Sequence, residues 1–169
     1  EVIEAAVFFD IDIDKIDVVV HPEVIMHAMI TFVDKSSHVF LSNPDMKIHI
    51  ANSICPNNQL YNNNFLSSVD LIKIGNMSFY ELNHKLFPAI NIAKKCLKNG
   101  RSHVIAYNAI DEVLVDMFLK DKIRFHEIVD KINDELSFIL KFDIEDIKDI
   151  IDFNNEVKEN LISKYSNKN

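Results

Sequence analysis

Few residues of this 169-residue chain are of a type that does chemistry, and they fall in small groups. Glu1 and Glu4 stand one helical turn apart at the head of an apolar run, so both carboxylates share a helix face. A carboxylate held on a helix suits one corner around a hard divalent cation, and it is equally at home as a solvated surface group. His21 and His27 bracket an apolar, β-branched stretch. An imidazole there can move a proton near neutral pH, or it can simply satisfy a backbone group. His21 precedes Pro22, which keeps it extended, and it reads as a structural strand cap. Met46 follows Pro44-Asp45 and reads by itself as a loop methionine covering core. Asp111 and Glu112 sit inside an apolar helical run and need partners, or raised pKa values, if that helix is buried. Cys55 and Cys96 lack CxxC spacing, and both read as small hydrophobes in a reducing compartment.

Composition narrows the chemistry further. Gly75 and Gly100 are the only glycines, which excludes a glycine-rich phosphate or dinucleotide loop in this chain. The formal charge is −8, and only Arg101 and Arg124 carry guanidinium groups, so no basic stripe for nucleic acid exists. No apolar run approaches the roughly 18 residues that a membrane helix needs. Apolar residues make up 48%, enough for a packed core. The chain opens on Glu1, already in helical pattern, and reads as a piece whose upstream part has been removed.

The elements that must position these groups follow from periodicity. Residues 1–9 read as the end of a helix, 16–20 as a buried strand, 25–33 as a second strand, and 38–41 as a third after the turn at 34–37. A short helix is expected over 47–54, an exposed Asn-rich loop over 57–68, and one more strand over 70–82. Beyond Pro88 the pattern turns helical, with Gly100 placed as a cap. Residues 103–119 are apolar on nearly every side, which predicts a central buried helix. Two further helical periods run over 125–140 and 144–165. The expected fold is α+β: a partial mixed sheet with helices over residues 1–82, then a C-terminal four-helix bundle over 83–169.

Several runs, in order and in register, carry a resemblance. They are Glu1-Val2-Ile3-Glu4-Ala5; His21-Pro22 with Val24-Ile25-Met26-His27; Asn43-Pro44-Asp45-Met46; Leu86-Phe87-Pro88-Ala89-Ile90; Asn108-Ala109 with Glu112; and Lys122-Ile123-Arg124-Phe125. Across residues 1 to about 140 the chain resembles the C-terminal part of the 1-deoxy-D-xylulose 5-phosphate reductoisomerases. It departs at Glu23-Val24, where the family usually has Gln-Ser; at Cys55-Pro56, where it has Trp-Pro; and at Asp111-Glu112, where it has Asn-Glu. These departures bear on catalytic competence rather than on the fold.

The resemblance implies an enzyme that converts 1-deoxy-D-xylulose 5-phosphate to 2-C-methyl-D-erythritol 4-phosphate with NADPH, in the non-mevalonate isoprenoid pathway. It implies a divalent metal, Mg²⁺ or Mn²⁺, on the substrate's vicinal oxygens. Glu1 would be the metal and substrate ligand, His27 the catalytic and substrate-binding imidazole, and Met46 the contact to the nicotinamide. The NADPH-binding domain and the other two metal carboxylates would lie upstream of Glu1. A homodimer in a bacterial cytosol or a plastid-type organelle is implied, acting on a small sugar phosphate, with no nucleic acid or membrane partner. The rival reading is a non-catalytic remnant of the same fold that binds a partner through its acidic bundle.

Overall fold

Apolar recurrence every three or four positions makes the second half helical, although the periods expected over 125–140 and 144–165 are helical only over Phe125–Leu136 and from Ile147. The computed structural model describes residues 1–54 and 67–166. In chain order the elements are α1 (Val2–Phe8), a 3₁₀ turn (Ile13–Lys15), β1 (Val19–Val20), β2 (Met26–Thr31), β3 (Ser37–Leu41), α2 (Met46–Ile54), α3 (Leu71–Ile74), β4 (Tyr80–Glu81), α4 (Ala89–Asn99), α5 (Arg101–Leu119), α6 (Phe125–Leu136) and α7 (Ile147–Ser166). They fall into two compact units, one formed by Glu1–Asp17 with Asn83–Asn169 and the other by Val18–Leu82. The fold is α+β, as expected.

In the helical unit α5 packs against α4, α6 and α7. Ala106, Ala109, Ile110 and Leu114 are sealed from solvent along it. Around them close Ile92 and Cys96 of α4, Ile128 and Ile132 of α6, and Val157 and Leu161 of α7. This is the central helix that the apolar run predicted, although Phe118 is only half-buried, resting edge-on against Phe125. Gly100 makes the corner between α4 and α5 at φ +111°, where its N–H reaches Cys96 O and Leu97 O. A side chain there meets open contact rather than a clash, with Lys141 Cε at 3.7 Å, so it is the left-handed backbone that selects glycine. Glu127 accepts the Arg124 N–H at 2.9 Å and so closes the first turn of α6, which keeps its carboxyl below the usual range. Near the end of α7, Lys164 and Tyr165 both bond the buried Glu135. The first helix belongs here too: α1 and the 3₁₀ turn pack on α4, with Lys94 on Ile16 O and Lys98 on Asp14.

The other unit holds one hairpin, one pair of strands distant in sequence, and the helices α2 and α3. β2 pairs antiparallel with β3, and β1 with β4. The expected mixed sheet therefore takes the form of two antiparallel pairs. Strands joined by a turn as short as Phe32–Ser36 have no crossover that would let them run parallel. Asp34 holds that turn by accepting the Ser36 N–H and Oγ–H. The expected buried strand at 16–20 shrinks to Val19–Val20, both exposed among the described residues. The expected strand over 70–82 is also corrected. Asp70 caps the N–H groups of Ile72 and Lys73 and starts the helical turn α3, and only Tyr80–Glu81 are extended against β1. Cys55 and most of the expected Asn-rich loop lie outside the described residues.

Candidate active site

His27 owes its place to a break in the β2–β3 ladder. Met26 faces Leu41 and Ala28 faces Phe40, so His27 is an extra residue with no partner across the pair. A bulge of this kind re-aims one side chain while the strands on either side stay in register. The His27 ring turns back on the chain end of β3, with Nε2 at 3.2 Å from the carbonyl oxygen of Ser42. A carbonyl only accepts, so Nε2 carries the proton and neutral His27 keeps its lone pair on Nδ1. Ser42 is itself buried and anchored, its N–H donating to Ile25 O.

The loop that follows β3 is fastened at both ends. Asn43 donates from Nδ2 to Ser67 O and Ser67 Oγ, each at 2.9 Å. Asp45 accepts the Lys47 N–H at 3.0 Å and opens α2. Met46, the first residue of that helix, is exposed. Three positions on, His49 lies edge-to-face with His27 at 5.3 Å between ring centroids, and Phe40 stands 5.9 Å from His49. Sequence reasoning placed a helix here but passed over His49. The available signal was its three-residue spacing from Met46, which puts both on one face of α2.

His21 does what its position before Pro22 suggested. Its side chain is buried, donates from Nδ1 to Ser78 O at 2.8 Å and stacks on Phe79. Ser78 in turn bonds Glu23, and those hydrogen bonds hold the Glu23 carboxyl below its ordinary range. The turn that runs from His21 to Val24 is strained at Val24, a β-branched residue at φ +52°.

Glu1 belongs to the helical unit. It stands at the N-cap of α1 with its side chain fully exposed and making no capping bond, and Glu4 is exposed beside it. Among the described residues no three His, Cys, Asp or Glu side chains converge as a metal cluster. Of the acidic pair in α5, Asp111 has its pKa raised by burial, whereas Glu112 reaches the surface and pairs with Lys158 at 2.6 Å. A cavity of about 470 Å³ runs between α5 and α7, lined by Glu112, Asp116, Lys120, Lys122, Lys158 and Tyr165, and none of the expected site residues faces it. The Glu112–Lys158 and Asp116–Lys120 pairs neutralise most of its rim.

A hairpin segment leading into a helical bundle is how one class of enzyme chain ends, and the family described as the DXP reductoisomerase C-terminal domain matches residues 41–160. The 1-deoxy-D-xylulose 5-phosphate reductoisomerase of Caldanaerobacter subterraneus subsp. tengcongensis is 34% identical over 165 residues, covering 98% of this chain and 43% of that protein. That of Pseudarthrobacter chlorophenolicus is 39% identical over 137 residues, covering 81% of this chain and 34% of its own length. Among solved structures, the reductoisomerase of Zymomonas mobilis in complex with NADPH superposes with a TM-score of 0.87 at 26% identity, over 97% of this chain and 43% of that one. Another, solved with NADPH, fosmidomycin and magnesium, gives a TM-score of 0.82 at 25% identity, over 98% of this chain and 42% of its own. The chain belongs to the 1-deoxy-D-xylulose 5-phosphate reductoisomerase family, as part of its C-terminal portion, and spans less than half the length of these relatives.

Proposed function

We propose that the full-length protein carrying this chain is an NADPH-dependent reductoisomerase that converts 1-deoxy-D-xylulose 5-phosphate to 2-C-methyl-D-erythritol 4-phosphate, a step of non-mevalonate isoprenoid synthesis. The observation behind this reading is the likeness in sequence and fold to those reductoisomerases along nearly the whole chain. Residues 1–82 are then the end of the catalytic domain and 83–169 the C-terminal helical domain, with Glu1–Asp17 of the former packed into the helical unit. The protein would work as a homodimer in a bacterial cytosol or a plastid-type organelle; no described helix is long and apolar enough to cross a membrane.

The divalent ion, Mg²⁺ or Mn²⁺, would polarise the substrate oxygens, and NADPH would supply hydride. Glu1 fits the ion in kind: it is a hard oxygen donor, open to solvent and free of a capping bond. It supplies one corner, and the described residues converge no second or third. The NADPH phosphates would be held upstream, since this chain has no glycine-rich loop. What the chain itself does is bind and orient. His27 offers the Nδ1 lone pair to a substrate hydroxyl, accepting its hydrogen bond or its proton. Met46 offers an exposed apolar surface for the nicotinamide ring.

The test is NADPH oxidation by the full-length protein with 1-deoxy-D-xylulose 5-phosphate and Mn²⁺. Steady turnover supports the reading. Absent turnover in a folded protein that still binds NADPH would favour the non-catalytic remnant.

A further inference from the structure

We propose that His49 is a positioning residue, which together with the Ser42 carbonyl holds the His27 imidazole in a single orientation and tautomer with Nδ1 as its open acceptor. This rests on the reading of His27 as the substrate-contacting imidazole. Three independent features of the hairpin unit converge on that ring. The bulge removes His27 from the ladder, so the strand pairing alone leaves its side chain without a cross-strand neighbour. The Ser42 carbonyl then fixes one nitrogen as a donor. A single hydrogen bond still leaves the ring free to swing about that contact, because His27 is exposed. The edge-to-face ring of His49, at 5.3 Å and 76° between planes, opposes that swing, and Phe40 backs His49 from β3 at 5.9 Å. Aromatic pairs in this geometry carry a directional preference beyond the area they bury. An acceptor nitrogen confined to one direction is what a proton-accepting contact needs, since proton transfer depends on alignment before it depends on basicity.

The experiment uses the full-length protein with ¹⁵N-labelled histidine and three variants, His49→Ala, His49→Phe and His27→Asn. The ring ¹⁵N shifts of His27 report its tautomer, and steady-state kinetics report kcat and the KM for each substrate. With His49→Ala, the His27 pattern is expected to move from one tautomer to a mixture. The kcat should fall about 2–10-fold, the size of one aromatic contact, with the KM for NADPH unchanged. His49→Phe keeps the edge-to-face ring and should restore both. An unchanged His27 signature and kcat in His49→Ala, or failure of His49→Phe to restore them, overturns the proposal. If His27→Asn keeps full turnover, the reading of His27 as the reactive imidazole fails, while the ring shifts in the His49 variants still decide whether His49 orients it.

Discussion

The helical unit closes a sealed core around α5, and the hairpin unit closes almost none: Ile25 and Leu82 are its buried apolar side chains among the described residues. One face each of α4, α6 and α7 meets α5, and the residues at that junction are shut off from water, although Phe125, Ile147 and Ile162 on the same helices stay exposed. In the hairpins, by contrast, Met29, Ile30, Val39 and Phe40 remain exposed along β2 and β3. The difference comes from geometry. A helix buries one stripe and needs only a neighbouring helix, whereas a two-stranded ribbon has two broad faces and cannot cover either by itself. The chemistry divides along the same line: the ordered imidazole lies in the unit with little core, and the open carboxylate heads the well-packed one. Loosely covered backbone is where bulges and re-aimed side chains are tolerated, because no dense packing has to be rebuilt around them.

The sharpest way to break this contrast is a truncation inside the helical core. Leu114→Ala is expected to destabilise the chain by about 3–5 kcal/mol, the range for a fully buried large aliphatic. Half-buried Phe118→Ala should lose less, and equal shifts in denaturant midpoint would mean that α5 is not the hub. Next in size is Glu1→Gln in the full-length protein. Turnover should fall by at least about 100-fold, since the amide keeps the shape but loses the charge that a divalent ion requires, while the melting temperature stays put. Unchanged turnover at saturating Mn²⁺ would return Glu1 to the surface.

A smaller effect of opposite sign is expected in the hairpin unit. Val24→Asn should stabilise by about 1 kcal/mol, because asparagine tolerates the positive φ that valine pays for in strain. Thermal melts of the two proteins would show it as a higher midpoint for the variant. Smaller again at ordinary pH is the contribution of Cys96, whose thiol burial pushes up to about 11 from an ordinary value near 9. Because the folded value is the higher one, its contribution is intact below about pH 9 and is lost as pH rises through 11. Cys96 in the native protein at pH 8 should therefore resist thiol reagents until denatured, as read in a Cys55→Ser background, and Cys96→Ala should flatten the fall in stability between those two pH values. The least effect belongs to Val33→Ser, at a fully exposed position, which should stay within about 0.5 kcal/mol of the parent by denaturant titration.

Much of this was legible in the residues. The helical periods of the second half, the corner at Gly100 and the turn at Asp34–Ser36 are local, and local rules read them. The strand expected over 70–82 was misread because Asp70 can cap a helical turn as readily as it can precede a strand, and the side-chain bond to Ile72 and Lys73 settles the matter. His27 was visible as a chemical type but not as a bulge, since pairing register depends on which residue of β3 stands opposite. His49 was invisible as a partner because its contact with His27 spans different elements, and no spacing rule links residues across a loop.

By itself, then, the sequence determined the α+β class, the helical bundle with α5 at its centre, and the family, because apolar periodicity and runs of matching residues are properties of neighbours along the chain. The tertiary structure alone decided that the strands pair as separate antiparallel ribbons, that Asp111 is half-buried while Glu112 finds Lys158, and that His27 is held by the Ser42 carbonyl beside His49. Those outcomes depend on distances between residues far apart in sequence, which are set only when the elements pack.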